Sequence, residues 1–477
     1  MHSELQKQDE VLAALSASAI HGGAKVQKIQ THASVVFLAG DRAIKVKRAV
    51  RFPFLDYSTL EHRKAACEAE VAVNRALAPQ IYIGVVAITR DNDGTLRIGG
   101  NGSVIEWAVA MRRFDENQTL DIIAERGKLD DNLSLKLADT VLMAHRTAPS
   151  VDAEAWLAAL RSFVDQNHDA FTARADLFPS ADVQALTSSS IDAYNRVYDL
   201  VRARGASGFI RRLHGDLHLG NIVLLDGKPV LFDAIEFDPL IAAGDVLYDL
   251  AFLLMDLRER GLALSANIVF NRYLQESREP RHLDALAALP LFLSMRAAIR
   301  AKVTAAKLDA NGTADLALIR ESAQRYFAFA LEALRPVSPM LIAIGGLSGT
   351  GKSVLARAIA QSLDPAPGAV VLRSDVERKR IFGVCETDRL QDAAYAPDVT
   401  RRVYAGLAEK AAHILGAGYC AVVDAVFAGV AERTQIACAC ACACAGSKGA
   451  FLRIIPDRGY RNQIVARGRA ERGRFGR

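Results

Sequence analysis

Met340-Leu341-Ile342-Ala343-Ile344-Gly345-Gly346-Leu347-Ser348-Gly349-Thr350-Gly351-Lys352-Ser353 is an apolar run followed at once by the spacing G-x-x-x-x-G-K-S. A short apolar run bounded by glycine reads as a buried strand, and Val354-Leu355-Ala356-Arg357-Ala358-Ile359 after it reads as a helix. Strand, Gly-rich loop and helix in that order make a phosphate cradle. Gly346, Gly349 and Gly351 let the backbone curl, so that N–H groups of the loop, Ser348 and Thr350 among them, face one phosphate. Lys352 then reaches the β and γ oxygens, and the Ser353 hydroxyl ligates Mg²⁺. The expected ligand is ATP, on a three-layer α/β domain. A solvated lysine on a Gly-rich turn would need neither the strand before the loop nor the helix after it.

A second signal lies upstream. His214-Gly215-Asp216-Leu217-His218-Leu219-Gly220-Asn221 is followed by the strand Ile222-Val223-Leu224-Leu225, a turn at Asp226-Gly227, and a strand ending in Leu231-Phe232-Asp233. An aspartate five positions before an asparagine, then a hairpin that returns a second aspartate, is the order of a protein-kinase-like active site. Asp216 is expected to accept the proton of the substrate hydroxyl, while Asn221 and Asp233 hold Mg²⁺ against the phosphates.

The stretch from His214 to Asp238 (HGDLHLGNIVLLDGKPVLFDAIEFD) resembles the aminoglycoside phosphotransferase-like kinases, especially bacterial proteins in which such a domain is fused to a C-terminal P-loop (AAA-type, zeta-toxin-like) kinase domain. Thr31-His32-Ala33-Ser34, Ala43 through Arg48, Arg51 through Asp56, and Glu70 through Tyr82 fall where that family has similar segments, and the likeness runs to about Arg433. It implies ATP chemistry and leaves the phosphoryl acceptor open. It also implies that Gly244-Asp245 and Asp249 brace the catalytic loop, although helix capping and turn formation explain them as well.

The first lobe can be sought from physics too. Val35-Val36-Phe37-Leu38, a turn at Ala39-Gly40-Asp41 and Ala43-Ile44-Lys45-Val46-Lys47 read as a hairpin. Lys45 is the candidate for pairing the α and β phosphates, with Lys47 on the same face as its competitor. A carboxylate from the helix expected over Glu61–Leu77 must fix that lysine, and Glu68 and Glu70 are available. The resemblance favours Glu70. Phe52, Phe54 and Tyr57 read as packing residues. Val104 through Met111 reads as a buried strand leading to the hinge, whose backbone would meet the adenine edge.

Helical periodicity from about Ser190 to Leu334 marks a helical subdomain, and Arg335-Pro336-Val337-Ser338-Pro339 is the best boundary, since two prolines oppose helix. Downstream, the strand Gly368–Leu372 ends in Arg373-Ser374-Asp375-Val376-Glu377-Arg378. In small P-loop kinases that it resembles, gluconate-kinase-like and zeta-toxin-like, such a D-x-x-R sits at the acceptor site, which implies Asp375 as the substrate-side acid or base. Ala421-Val422-Val423-Asp424 ends a strand in a candidate metal-shell acid. A helix cap would account for either aspartate.

From Ile436 the pattern changes to four Ala-Cys repeats (Cys438, Cys440, Cys442, Cys444), then a segment 446–477 with nine Lys/Arg against two Asp/Glu. That spacing fits neither a zinc site nor a disulfide framework. A frame change in a short DNA repeat is expected, leaving a disordered basic tail and an incomplete P-loop domain. Since the tail carries the positive charge, the net +5 gives no reason to expect a nucleic-acid partner. Only Cys67, Cys385 and Cys420 lie outside the repeat, and no apolar run reaches about 18 residues, so a soluble cytoplasmic protein is expected.

The expected architecture is an α+β, protein-kinase-like bilobal domain over 1–335, with lobes of about 25–113 and 114–335, followed by a P-loop domain over 338–445 and a tail over 446–477. The expected function is ATP- and Mg²⁺-dependent phosphotransfer to a small-molecule hydroxyl, with no membrane partner and no prediction of oligomeric state. Two other readings are a regulatory ATP-binding protein, and a stress- or toxin-like P-loop kinase whose N-terminal domain is an interaction module.

Overall fold

The protein is described by a computed structural model covering residues 2–31, 33–52, 55–309, 315–443, 448–456 and 462–468. His32, Phe54, Cys444 and the tail segments 445–447, 457–461 and 469–477 lie outside the described residues. The chain divides into two compact units, one of residues 1–136, 143–156 and 208–249, the other of residues 137–142, 157–207 and 250–477.

The first unit is built on a six-stranded antiparallel sheet. Its spatial order is Val26–Gln30, Ser34–Ala39, Arg42–Lys47, Ser103–Arg112, Tyr82–Arg90, Leu96–Ile98. Side chains alternate across a strand, so Arg42–Lys47 sends Ile44 and Val46 to one face and Lys45 and Lys47 to the other. The first face packs Ile44, Val46, Val35, Phe37 and Ala108 against Val11 and Leu15 of the helix His2–Ser16. On the opposite face, Cys67 and Val71 of the helix Leu60–Leu77 pack with Tyr82, Val109, Val223 and Val230. Thr59 caps that helix by accepting from the His62 N–H at 3.2 Å. The Ile222–Leu225 and Lys228–Leu231 strands form a hairpin whose two turn residues, Asp226 and Gly227, have φ of 49° and 71°, the left-handed pair that a two-residue turn requires.

In the second unit, helices including Ser180–Ala206, Ala263–Ser277, Leu289–Ala306 and Leu316–Ala333 precede a five-stranded sheet. Phe171, Phe178 and Phe327 meet at centroid distances of 4.7 to 5.0 Å and pack the helix Ala153–Thr172 and the loop after it against the helix Leu316–Ala333. The run Arg281–Asp309 is long and apolar enough by composition to pass for a membrane span, with a window of mean hydropathy 1.3. Since 72% of that window is buried, it serves as a core helix.

The sheet runs Val370–Arg373, Ala421–Asp424, Met340–Gly345, Lys448–Pro456, Asn462–Gly468, parallel except for the last strand. This corrects the expectation for the tail: two segments of 446–477 are strands, so the P-loop domain does not stop at 445. The run Ala450-Phe451-Leu452-Arg453-Ile454-Ile455 carries a strand signal that the arginine-rich composition around it masks. The Ala-Cys repeat ends the helix Val430–Ala443. At the sheet's other edge, Asn271 Oδ1 accepts from the Val371 N–H at 2.7 Å, while Asn267 and Asn271 each donate to Ala369 O at 3.1 Å. The helix Ala263–Ser277 thus uses amides to occupy groups a further strand would have taken.

Candidate functional site

Lys45 and Lys47 leave the same strand face and converge on one carboxylate. Lys45 Nζ donates to Glu70 Oε1 at 2.9 Å and to Asp233 Oδ1 at 2.6 Å, while Lys47 Nζ lies 2.5 Å from Glu70 Oε2. Glu70 is fully buried, which alone would raise its pKa, but the two lysines outweigh burial and hold it down to about 2. Burial likewise opposes the charge on Lys45, yet Asp233 and Glu70 keep it well above the usual lysine value. The other candidate acid, Glu68, is exposed and 3.8 Å from Lys64.

The sequence treated Lys45 and Lys47 as competitors, whereas the structure gives them different jobs. Lys47 pairs with buried Glu236, which also accepts from Tyr57 Oη at 3.0 Å, so Lys47 has carboxylates on both sides. Lys45 alone bridges to Asp233 of the hairpin. Asn74, one turn beyond Glu70, donates to Ala234 O at 3.1 Å and accepts from the Ala234 N–H at 2.7 Å. It holds the backbone just after Asp233, which sits at φ 60° in the left-handed region. Asn74 and Glu236 escaped the sequence reading. A further buried set, Arg63 Nε to Glu106 Oε1 at 2.8 Å and Gln8 Nε2 to Glu106 Oε2 at 2.7 Å, ties the Leu60–Leu77 helix and the first helix to the strand Ser103–Arg112.

The loop before the hairpin is fixed through its histidines and aspartates. His214 Nε2 faces Phe232 O at 2.9 Å, and because a carbonyl only accepts, that nitrogen carries the proton. Burial holds His214 below the ordinary histidine value, so the ring is neutral and Nδ1 accepts from the Asp216 N–H at 3.3 Å. Asp249 Oδ1 accepts from the Gly215 N–H at 2.9 Å while its Oδ2 meets His145 Nε2 at 3.2 Å, and Asp245 caps the following helix through the Leu247 N–H at 2.9 Å. Asn221 Nδ2 donates to Asp216 Oδ2 at 3.1 Å, and His218 Nε2 lies 3.4 Å from the same oxygen. The Asp216 carboxylate is therefore oriented from two sides.

These contacts test the fit of a magnesium ion. The Asn221 amide nitrogen donates to Asp216, and Asn221 O accepts from the Phe232 N–H at 3.0 Å, one residue before Asp233. A carboxylate and an amide oxygen are donors of the type a hard cation takes, and the Asp233 carboxylate is held by Lys45.

In the second unit, Gly349 and Gly351 have φ of 79° and 85°, which only glycine adopts without strain, and Gly346 N–H donates to Val426 O at 3.2 Å. Ser348 is exposed, Thr350 Oγ1 donates to Leu347 O at 2.8 Å, and Lys352 folds its ammonium back onto the same carbonyl. Ser353 Oγ donates to Asp424 Oδ2 at 2.6 Å, which brings two hard oxygen donors together as a magnesium site needs. Asp375 lies on the first turn of the helix Ser374–Ile381, 3.0 Å from Lys379. Arg378 is buried and donates to Ala394 O at 2.6 Å, so in the D-x-x-R segment the arginine supports a neighbouring turn.

Residues 26–289 match a family model described as the phosphotransferase enzyme family, and residues 341–475 match one described as an AAA domain. An uncharacterized protein of Mycobacterium tuberculosis is 30% identical over 404 residues, covering 83% of this chain and 77% of that protein, and one of Mycobacterium bovis matches equally. Among solved structures, a choline/ethanolamine kinase family protein from Mesorhizobium loti is 15% identical with a TM-score of 0.40, covering 69% of this chain and 99% of its own. A choline kinase from Cryptosporidium parvum is 12% identical with a TM-score of 0.41, covering 66% of this chain and 90% of its own.

Proposed function

We propose, because the chain belongs to the phosphotransferase enzyme family, that its first unit transfers the γ-phosphoryl group of ATP to a hydroxyl of a small molecule. The observation that carries this reading is Lys45 bridging Glu70 and Asp233, with Asp216 held beside Asn221 on the loop before the same hairpin. Lys45 then neutralises the α and β phosphates, fixed by Glu70 so that it spends no motion finding them. Asp216 receives the hydroxyl proton while its carboxylate is aimed by Asn221 and His218. Asn221 and Asp233 would hold Mg²⁺, which supplies charge neutralisation on the phosphates. Proton acceptance and positioning fall to the chain's own residues.

The second unit is proposed as a separate ATP site, with Lys352 on the β and γ phosphates and Ser353 and Asp424 around Mg²⁺. ADP release from ATP, measured against pooled hydroxylated metabolites, tests the proposal. Acceptor-dependent release that disappears in Asp216→Asn is the expected result; release that no pool stimulates counts against it.

A further inference from the structure

Arg373 ends the edge strand of the P-loop sheet in register with Asp424, at the carboxyl ends of parallel strands where ligands of such sheets bind. Its Nε is buried and has no hydrogen-bond partner among the described residues, lying 3.9 Å from Asp424 Oδ2, an oxygen that already accepts from Ser353. A buried, charged N–H left without an acceptor is costly, so its retention beside the phosphate cradle calls for an acceptor that arrives with a ligand.

One terminal nitrogen of the guanidinium is held. Arg373 Nη1 donates to Glu386 Oε1 at 2.5 Å. Glu386 Oε2 in turn accepts from Gln275 Nε2 at 3.1 Å and from Arg272 Nη1 at 3.4 Å. Arg272 is itself clamped on Asp139 through two parallel bonds of 2.8 and 3.1 Å. Arg272 and Asp139 belong to the segment that matches the phosphotransferase family, whereas Arg373 and Asp424 belong to the AAA-type segment.

We propose that Arg373 contacts the γ-phosphate of the nucleotide held by the P-loop, and that Arg272, acting through Glu386, is a positioning residue for it. The P-loop site thereby takes its triphosphate selectivity in part from a residue of the preceding domain. The inference rests on the P-loop binding a nucleoside triphosphate. A charge-assisted bond to one phosphate changes the affinity for ATP and leaves ADP, which lacks that phosphate, nearly unaffected.

The test uses the full chain carrying Lys45→Ala to silence the first site, titrated calorimetrically with a non-hydrolysable ATP analogue and with ADP. Arg373→Ala is expected to weaken the ATP analogue at least about 10-fold and ADP less than about 3-fold, in line with about 1.5–3 kcal/mol for a bond to a charged group. Arg272→Ala should shift the same ratio in the same direction by about 3-fold, and Glu386→Gln should act likewise if Arg373→Ala proves unstable. An unchanged ATP-to-ADP ratio in Arg373→Ala and Glu386→Gln overturns the proposal. Nucleotide binding that survives Lys352→Ala in this background would instead sink the P-loop reading itself, so the two failures are distinguishable.

Discussion

Asn74 reads the backbone of Ala234 as a neighbouring strand would, donating to its carbonyl at 3.1 Å and accepting its N–H at 2.7 Å across 160 residues of sequence. The pair joins the helix that carries Glu70 to the residue after Asp233, so the lysine anchor and the proposed metal-binding aspartate are set by one side chain. Asn74→Ala is expected to keep the fold but lower phosphotransfer about 10- to 100-fold, because a misplaced catalytic group of this kind costs that much. Steady-state turnover with a folded variant checks it; unchanged turnover would show that Asp233 is positioned without Asn74.

Lys45 and Lys47 separate activity from stability. Lys47→Ala leaves Glu236 buried without its cation and strips one of the two cations from Glu70, and breaking such a buried pair costs about 3–5 kcal/mol. Lys45→Ala leaves Glu70 paired with Lys47, so it should lose nucleotide affinity and turnover with a smaller drop in unfolding free energy. Chemical denaturation alongside nucleotide titration distinguishes them, and equal destabilisation by the two substitutions would contradict this division.

Much of the site was legible because its signals are local. His214 through Asp233 and Gly346 through Ser353 each place their chemistry within one loop and the strands beside it, and the Asp226-Gly227 turn announces the hairpin. Asn74, Glu236 and Arg373 were opaque for the opposite reason: each acquires a role only from a partner far along the chain, and an isolated Asn, Glu or Arg reads as a solvated polar residue. The tail misled in another way. Its net charge is a property of composition, whereas pairing of Lys448–Pro456 with Met340–Gly345 depends on the short apolar run within it.

Glu70 also sets an acid limit. Its carboxyl is held down to about 2 in the folded state from an ordinary 4.5, so the stabilisation from its charged form is fully present above 4.5 and is lost as the pH falls towards 2. Unfolding free energies measured between pH 6 and pH 3 should fall more steeply with acid for the native sequence than for Glu70→Gln. Identical slopes would mean that Glu70 titrates alike in both states.

Truncation before Lys448 removes two strands from the P-loop sheet and leaves Met340–Gly345 at an open edge. A chain ending at residue 445 is expected to lose nucleotide binding at Lys352 and to aggregate more readily. A shortened chain that binds nucleotide at Lys352 with unchanged affinity would show those strands to be dispensable.

The most direct measurement is made on Asp216→Asn, with ATP affinity and acceptor-dependent ADP release recorded on the same folded preparation. ATP affinity is expected within about 3-fold of the unsubstituted chain and phosphotransfer reduced at least about 10²-fold, the contribution of a positioned base. Near-normal turnover in Asp216→Asn would contradict the assignment of this loop as the site of phosphoryl transfer.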